Sequence, residues 1–333
     1  MKKIICCLFL IIFLTGCSNK EYKNGEVNVL NWSSYIPNDI ISDFEKEYDI
    51  KVNYGTYSSN EELLAKITSS KEGTYDLIFP SDYMVELMIS RDIIQKIDIN
   101  KINNYNNINK LFLKQKYDKN NDYSLPFLAA TVVIAVNRDN INDNITSYND
   151  LLNDKYKNNI VLLDDQRIII GMSLKALKYG MNEVNSNRLN QAKQWLLNLK
   201  DNVKAFDSDS PKTFLITNEV DIGVMWNAEA ILAKEYNNNI EIIYPTEGHA
   251  LSVDNYAITK GAKNVDNAYL LINYLLRNDI SKRIIEDYPY ISSNKNVNNM
   301  NNNEIKKIIE NGSYVENIGN NISLYDKLWA DIK

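Results

Sequence analysis

Aromatic and acidic side chains recur in five short segments of the chain, each directly after a run that predicts a β-strand. Together the segments contain two tryptophans, several tyrosines and four aspartates, and they contain no lysine or arginine. A protonated amine binds a carboxylate through charge-assisted hydrogen bonds, and an aromatic face adds about 0.5–2 kcal/mol of cation–π attraction. This combination favours an organic cation whose methylene groups lie on aromatic walls. The segments are Asn31 to Tyr35, Ser81 to Tyr83, Asp164 with Asp165, Trp226 with Asn227, and Asp254 to Tyr256.

An alternation of short β-rich runs and helix-length amphipathic runs positions these segments, and it is typical of α/β architecture with largely parallel sheets. In open α/β sheets, ligands bind outside the carboxyl ends of the strands, where the connections diverge and leave a crevice. We therefore expect the five segments to lie at one edge of the sheets. The predicted strands are Val27 to Leu30, Ile50 to Tyr54, Asp76 to Pro80, Thr131 to Val136, Asn159 to Leu163, Asp221 to Met225 and Ala250 to Val253.

Helices are predicted where apolar residues recur three or four positions apart. Asn-rich stretches without this periodicity, at Asn103 to Asn109 and Asn296 to Asn303, predict polar loops. The first predicted helix begins after Pro37. The other predicted helices are Leu63 to Ile67, Ile170 to Tyr179, Leu189 to Leu199, Ala268 to Leu276, Ile280 to Ile285 and Leu324 to Ile332.

Each segment also has a purely structural interpretation. A tryptophan at a strand end, such as Trp32 or Trp226, is often part of the hydrophobic core. An aspartate after a strand, such as Asp82 or Asp164, is often the N-cap of the next helix. Asp254 and Asn255 could form only a turn. The binding hypothesis depends on the coincidence of these residues at one edge, and hence on the strand assignments.

The composition excludes several kinds of chemistry. All three cysteines, Cys6, Cys7 and Cys17, lie near the N-terminus, so the remaining chain has no thiol for a disulfide, a thiolate nucleophile or a Cys-bound zinc. The single histidine, His249, argues against a His-based metal centre or a Ser-His-Asp triad, and we expect it to be solvated in a loop. No metal and no cofactor is predicted. No phosphate loop, G-x-S-x-G or H-E-x-x-H motif is present.

The N-terminus has the pattern of an export signal. Lys2 and Lys3 precede an apolar run from Ile4 to Leu14, which is shorter than the roughly 20 residues that span a membrane. The run ends in Leu-Thr-Gly-Cys, similar to the lipobox of bacterial lipoproteins, in which the cysteine carries the lipid. We expect residues 1–16 to be a cleaved signal peptide, Cys17 the lipidation site, and residues 17–25 the anchor and linker. Loss of the two lysines takes the net charge from −6 to −8, which disfavours nucleic acid and favours cations.

The chain resembles the spermidine/putrescine-binding proteins of bacterial ABC importers over essentially its whole length after the leader. The order and spacing of several short stretches carry the resemblance, and no single motif is decisive. The stretches are V-L-N-W-S-S-Y-I-P at 29–37, Y-D-L-I-F-P-S-D-Y-M-V at 75–85, N-N-D-Y-S-L-P-F at 120–127, L-L-D-D-Q-R at 162–167, F-D-S-D-S-P at 206–211, G-V-M-W-N-A at 223–228, V-D-N-Y-A-I at 253–258 and L-I-N-Y-L-L-R at 271–277.

The resemblance implies an α/β, two-lobed periplasmic-binding-protein fold of type II, with the ligand in the cleft between the lobes. The first lobe is expected at 26–133 plus about 256–302, and the second at 134–255 plus about 303–333. It also implies a monomer, held at the extracytoplasmic side of the plasma membrane or in the periplasm, that delivers a polyamine to an ABC permease and ATPase. The ligand-binding residues implied are Trp32, Ser33, Ser34, Tyr35, Ser81, Asp82, Tyr83, Asp165, Trp226, Asp254 and Tyr288.

Several departures from the family pattern keep other ligands open. Acidic residues of well-known spermidine binders are replaced by Ser34 and Ile168, a tryptophan by Ser252, and a glutamine by Ala330. An unpaired buried ammonium costs several kcal/mol, so fewer carboxylates favour a shorter diamine or a different solute, such as another organic cation or a metal ion. Alternatives from other classes are an extracytoplasmic hydrolase built on the Asp164–Asp165 pair, and an adhesin or sensor with the same fold.

Overall fold

The computed structural model describes residues 21–33 and 35–333, and in this part of the chain eleven strands form one continuous hydrogen-bonded network. Its main path runs β2-β1-β3-β9-β4-β7-β5-β6, with β8 and β10 paired to β4 and β11 paired to β9. The strands are β1 Glu26–Trp32, β2 Lys51–Tyr57, β3 Leu77–Ile78, β4 Ser124–Asn137, β5 Ile160–Leu162, β6 Val203–Phe206, β7 Ile222–Trp226, β8 Ile240–Ile243, β9 His249–Ile258, β10 Ile291–Ser292 and β11 Gly312–Tyr314.

Helices connect these strands, and four of the described helices follow a residue whose side chain caps them. Ser59 caps α2 by accepting a hydrogen bond from the Glu62 amide, and Asn301 caps α10 together with Glu304 in a capping box. The helices are α1 Asn38–Tyr48, α2 Asn60–Ser69, α3 Asp82–Ser90, α4 Gln166–Ala176, α5 Ser186–Leu199, α6 Lys212–Ile216, α7 Asn227–Tyr236, α8 Val265–Leu275, α9 Asn278–Asp287, α10 Asn302–Asn311 and α11 Ile322–Ile332.

The buried apolar side chains form separate clusters, and these define two lobes. The clusters of the first lobe contain Val27, Phe44 and Ile272, and the cluster of the second lobe contains Val133, Leu196 and Tyr325. Each lobe therefore has a hydrophobic core of its own, as independent folding units do.

Three neighbouring strands carry the chain from one lobe to the other. In each of them, successive residues pack into hydrophobic clusters of different lobes. The change of lobe lies between Ala129 and Val132 in β4, between Ala250 and Leu251 in β9, and between Tyr314 and Val315 after β11. The sequence-based boundaries at 133/134, 255/256 and 302/303 stay a prediction. Residues 303–314 were expected in the second lobe, but the apolar face of α10 packs against Leu251 and Ile291 of the first.

Two local expectations are wrong, and pairing across the sheet explains the first. Asp254 was expected to follow a strand that ends at Val253, but β9 continues to Ile258 because β4 and β3 pair with it on its two edges. His249 was expected in a solvated loop, but it begins β9 and is 1% exposed, with its Nε2 3.0 Å from the Ile308 carbonyl oxygen. Both corrections depend on contacts that are distant in sequence.

Two features relate to the membrane and to metals. In the described part of the chain, no helix combines the length and hydropathy that a membrane span requires. Within residues 21–33 and 35–333, no three His, Cys, Asp or Glu side chains are grouped so that they could bind a metal ion. Cys17 and Ser34, both named as functional residues above, lie outside the described residues.

Candidate functional site

Asp254 is the centre of the candidate site, and its carboxylate is held by two hydroxyl groups of the first lobe. The Ser81 hydroxyl donates to Oδ1 at 2.5 Å and the Tyr35 hydroxyl donates to Oδ2 at 2.7 Å. An isolated β-bridge between Ser81 and Asp254 fixes the first of these contacts through the backbone. Because a carboxylate oxygen can accept more than one hydrogen bond, Asp254 keeps acceptor capacity for a ligand.

Aromatic rings surround this carboxylate. The Trp32 ring lies 4.7 Å from the Tyr57 ring and 6.2 Å from the Tyr35 ring, and the Tyr35 ring lies 4.9 Å from the Tyr290 ring, as measured between centroids. The indole nitrogen of Trp32 donates to the Phe79 carbonyl oxygen at 3.1 Å, which holds the ring in place. Aromatic faces beside a carboxylate suit an ammonium group and its attached methylenes.

Burial makes Asp254 costly to ionise without a cationic partner. The side chain is 4% exposed, and this desolvation raises its pKa from 3.8 to about 6, although the Ser81 and Tyr35 hydroxyls act in the opposite direction. A ligand ammonium would replace the lost hydration and favour the charged carboxylate. A buried carboxylate in this position would suit a cationic ligand better than an anionic one.

Asp82 is a second buried carboxylate, and its oxygens accept hydrogen bonds from backbone amides. Its Oδ1 accepts from the Tyr83 amide at 2.7 Å, and its Oδ2 accepts from the Val253 amide at 3.1 Å. The side chain is 1% exposed, and burial raises its pKa to about 8. Asp82 thus joins the start of α3 to β9, immediately before Asp254.

A second acidic group forms where the start of α4 faces the first lobe. Asp165 is the N-cap of α4, and its Oδ1 accepts from the amides of Arg167 and Ile168 at 2.8 and 3.1 Å. The Tyr83 hydroxyl donates to Glu61 Oε1 at 3.0 Å. Burial and the charges of Glu61 and Asp165 raise the pKa of Tyr83. Burial also raises the pKa of Asp165.

The remaining described residues of the predicted site differ in burial and in the elements that carry them. Ser33 is exposed and donates from its amide to the Tyr57 carbonyl oxygen at 3.1 Å. Trp226 is half-buried at the end of β7, where it pairs with Val132 at the change of lobe. Tyr288 is half-buried and is the C-cap of α9.

Three site residues were not identified from the sequence. Tyr57 and Glu61 flank the start of α2, and Tyr290 lies two residues after Tyr288. A signal existed for Tyr290, because Tyr-Pro-Tyr offers two candidate rings, but only the fold brings Tyr290 against Tyr35. Glu61 lies in the first turn of α2, where acidic residues are common, so its type and position carry no signal of a binding site.

Three of the residues that depart from the family pattern are uncharged and lie in different parts of the fold. Ile168 is 3% exposed and belongs to the core of the second lobe, so it offers no charge to a ligand. Ser252 is half-buried in β9 opposite Ala130. Ala330 is exposed on α11. A further carboxylate near the rings, Glu229, is paired with Lys212 at 2.7 Å.

Comparison with known proteins assigns the chain to a family. A family model described as bacterial extracellular solute-binding protein matches residues 39–311. The chain is 35% identical over 320 residues to the spermidine/putrescine-binding periplasmic protein of Escherichia coli, covering 93% of this chain and 92% of that protein.

Two solved structures have the same overall fold. The spermidine/putrescine ABC transporter substrate-binding protein of Streptococcus pneumoniae is 30% identical, with a TM-score of 0.81 over 92% of this chain and 98% of that one. A lipoprotein of Treponema pallidum is 25% identical, with a TM-score of 0.83 over 92% and 99%. The expected two-lobed, type II periplasmic-binding-protein fold is therefore confirmed. The chain belongs to the bacterial extracellular solute-binding protein family.

Proposed function

We propose that this protein is the extracytoplasmic binding subunit of an ABC importer and that it captures a polyamine. The observation that carries the proposal is the buried Asp254 carboxylate, which two hydroxyls hold in place among four aromatic rings. The names of the relatives in Escherichia coli and Streptococcus pneumoniae supply the ligand class and the transporter. The site holds and releases its ligand, and no covalent step is proposed.

The arrangement of charges supports a cation with an ammonium at each end. Asp254 lies at one acidic position, and Asp165 with Glu61 forms the other. Glu229 is already neutralised by Lys212, so it offers less to a ligand. We propose that one ammonium binds Asp254, that the methylene chain lies along Trp32 and the tyrosines, and that a second ammonium reaches Asp165.

Calorimetric titration of the leader-free protein tests this proposal. Putrescine, cadaverine, spermidine and spermine are titrated separately, and we expect at least one to bind near or below about 1 μM, roughly −8 kcal/mol. No binding heat and no thermal stabilisation with any of the four would reject polyamine capture. The second candidate, another organic cation, is favoured by the uncharged Ile168 and Ser252 and would then be tested with choline and thiamine.

The affinity of the protein for a polyamine is expected to fall as the pH is lowered. A cation requires the ionised form of Asp254, whose pKa in the free protein is about 6. Protonation therefore competes with the ligand below this pH, and we expect binding to be about tenfold weaker at pH 5 than at pH 7.5. Titrations at four pH values between these limits provide the measurement.

The stability of the free protein should change in the opposite direction. The folded pKa of Asp254 lies above its ordinary value of 3.8, so the folded state binds this proton more tightly than the unfolded state does. The contribution of Asp254 to the free energy of unfolding therefore decreases as pH rises from about 4 to above 6.

A polyamine affinity that is unchanged between pH 7.5 and pH 5 would contradict the assignment of Asp254 as the ammonium ligand.

We propose further that Cys17 anchors the protein by a lipid and that the protein acts as a monomer. The Leu-Thr-Gly-Cys sequence at 14–17 supports the anchor, as does the lipoprotein among the solved relatives. Cys17→Ser is expected to move the leader-cleaved protein from the membrane fraction to the soluble fraction of the cell envelope, because that chain has no acyl chain to insert. Cys7→Ser serves as the control and should leave the distribution unchanged.

A further inference from the structure

The third connection between the lobes is a short segment, residues 312–316, and it changes lobes within a single peptide unit. Tyr314 ends β11 and packs with apolar side chains of the first lobe, whereas Val315 packs with the core of the second lobe. β11 pairs with β9 only over Gly312–Tyr314, opposite His249–Leu251. The orientation of the segment beyond Tyr314 must therefore be set by side chains.

Asn182 binds this segment on both sides of Val315. Its amide nitrogen, Nδ2, donates to the Tyr314 carbonyl oxygen at 2.8 Å, and its amide oxygen, Oδ1, accepts from the Glu316 amide at 2.9 Å. One side-chain amide thus makes the pair of hydrogen bonds that a neighbouring strand would make. Asn182 is half-buried in the loop between α4 and α5 of the second lobe.

Arg167 orients this amide. Its guanidinium Nη2 donates to Asn182 Oδ1 at 2.8 Å and to the Glu316 carbonyl oxygen at 3.0 Å, and its charge lies 4.9 Å from the centroid of the Tyr325 ring. A guanidinium can only donate, so it fixes the oxygen of Asn182 toward itself and leaves Nδ2 for Tyr314. Arg167 lies in the first turn of α4, two residues after the cap Asp165.

The first lobe holds Tyr314 by strand pairing and packing, but it holds the residues beyond Tyr314 less firmly. Lys116 pairs with Glu316 at 2.8 Å, but their side chains are 72% and 46% exposed. The Tyr314 hydroxyl donates to Gln115 at 3.3 Å. Exposed ion pairs contribute little to stability, so the contacts with the second lobe dominate.

We propose that Asn182, oriented by Arg167, is a positioning residue that fixes where the third connection leaves the second lobe and so sets the orientation in which the two lobes meet. Lobe closure in such folds is a hinge motion absorbed by a few connecting residues. With the exit held to the second lobe at Tyr314 and Glu316, the third connection can bend only on its first-lobe side when the lobes rotate. Without it the lobes sample more orientations, and only a fraction of them can close on a ligand.

The test compares Asn182→Ala with Asn159→Ala. Asn159 is also half-buried in the second lobe, and its side chain also makes two hydrogen bonds, both to Asp221, at 2.9 and 2.8 Å. Because the sequence contains no cysteine from Ser18 onward, a protein that starts at Ser18 can be spin-labelled through Lys71→Cys in the first lobe and Asn190→Cys in the second. We expect the label-to-label distance distribution of the free protein to broaden in Asn182→Ala and to stay narrow in Asn159→Ala, with similar losses of thermal stability.

Ligand affinity is the second readout, and it alone depends on the proposed function. If about a tenth of Asn182→Ala molecules have the competent orientation, putrescine and spermidine should bind about tenfold more weakly, and Asn159→Ala should bind like the unaltered protein. Asn182→Asp keeps the acceptor for Glu316 and Arg167 but sets a carboxylate oxygen against the Tyr314 carbonyl oxygen, so it should also broaden the distribution. Equal distance distributions in the two alanine variants would overturn the inference. If the unaltered protein binds neither polyamine, the proposed ligand is wrong and the distance distributions still decide the inference.

Discussion

Asp254→Asn is expected to remove most of the polyamine affinity. The substitution keeps the size of the side chain, and the Ser81 and Tyr35 hydroxyls can each either donate to it or accept from it, so the local hydrogen bonds survive. What is lost is the charge that pairs with the ammonium. Removing one partner of a buried, hydrogen-bonded charge pair costs about 2–5 kcal/mol, roughly a 30- to 5,000-fold loss of affinity in calorimetric titration.

A second buried aspartate of the same lobe provides the control. Asp118 is 6% exposed and accepts hydrogen bonds from the amides of residues 122–124 and from the Ser124 hydroxyl. Asp118→Asn should lower thermal stability, because the amide places a donor against these donors, and it should leave polyamine affinity within a few-fold. Asp254→Asn should instead keep its thermal stability and lose most of its polyamine affinity. Full affinity in folded Asp254→Asn would rule out this carboxylate as the ammonium ligand.

Asp165→Asn separates the charge of Asp165 from its role as a helix cap. Asparagine caps helices about as well as aspartate, so α4 should keep its start and the free energy of unfolding should change by less than about 0.5 kcal/mol. The ammonium near Asp165 loses a charged acceptor worth about 1.5–3 kcal/mol, so affinity should fall roughly 10- to 150-fold. Calorimetric titration and thermal unfolding of the same preparation measure the two effects.

Asp165→Ala completes this experiment. It removes the charge and the cap together, so we expect the same loss of affinity and an additional loss of stability of about 1 kcal/mol. If Asp165→Asn binds polyamine normally and only Asp165→Ala is impaired, Asp165 acts solely as the cap of α4. The ligand would then be held at its second end by Glu61 or by neither carboxylate.

Local patterns in the sequence are sufficient for the fold class and for most of the elements. Alternating β-rich and amphipathic runs reflect which faces must be buried, and this requirement is satisfied element by element. The short strands β6, β8, β10 and β11 were missed, because a strand of two to four residues has no periodicity to detect. The start of α10 within an Asn-rich stretch was missed for a related reason, since Asn301 is a cap and the apolar face lies further on.

The roles of individual carboxylates required the tertiary structure. The sequence by itself determined an acidic and aromatic inventory, including Trp32, Tyr35, Ser81 and Asp254, that suits an organic cation. Only the fold decided that Asp254 meets Ser81, 173 residues away, in the middle of a strand rather than after it. Only the fold turned Asp82 inward to backbone amides.

The physical reason is the range of the interactions. Helix and strand periodicity depends on residues a few positions apart, so one sequence is enough to predict it. The pKa and the partners of a buried carboxylate depend on strand register and on the packing of distant segments, as do the burial of His249 and the contact of Tyr290 with Tyr35. The sequence therefore determined which residues are available to bind a cation, and the tertiary structure decided which of them converge.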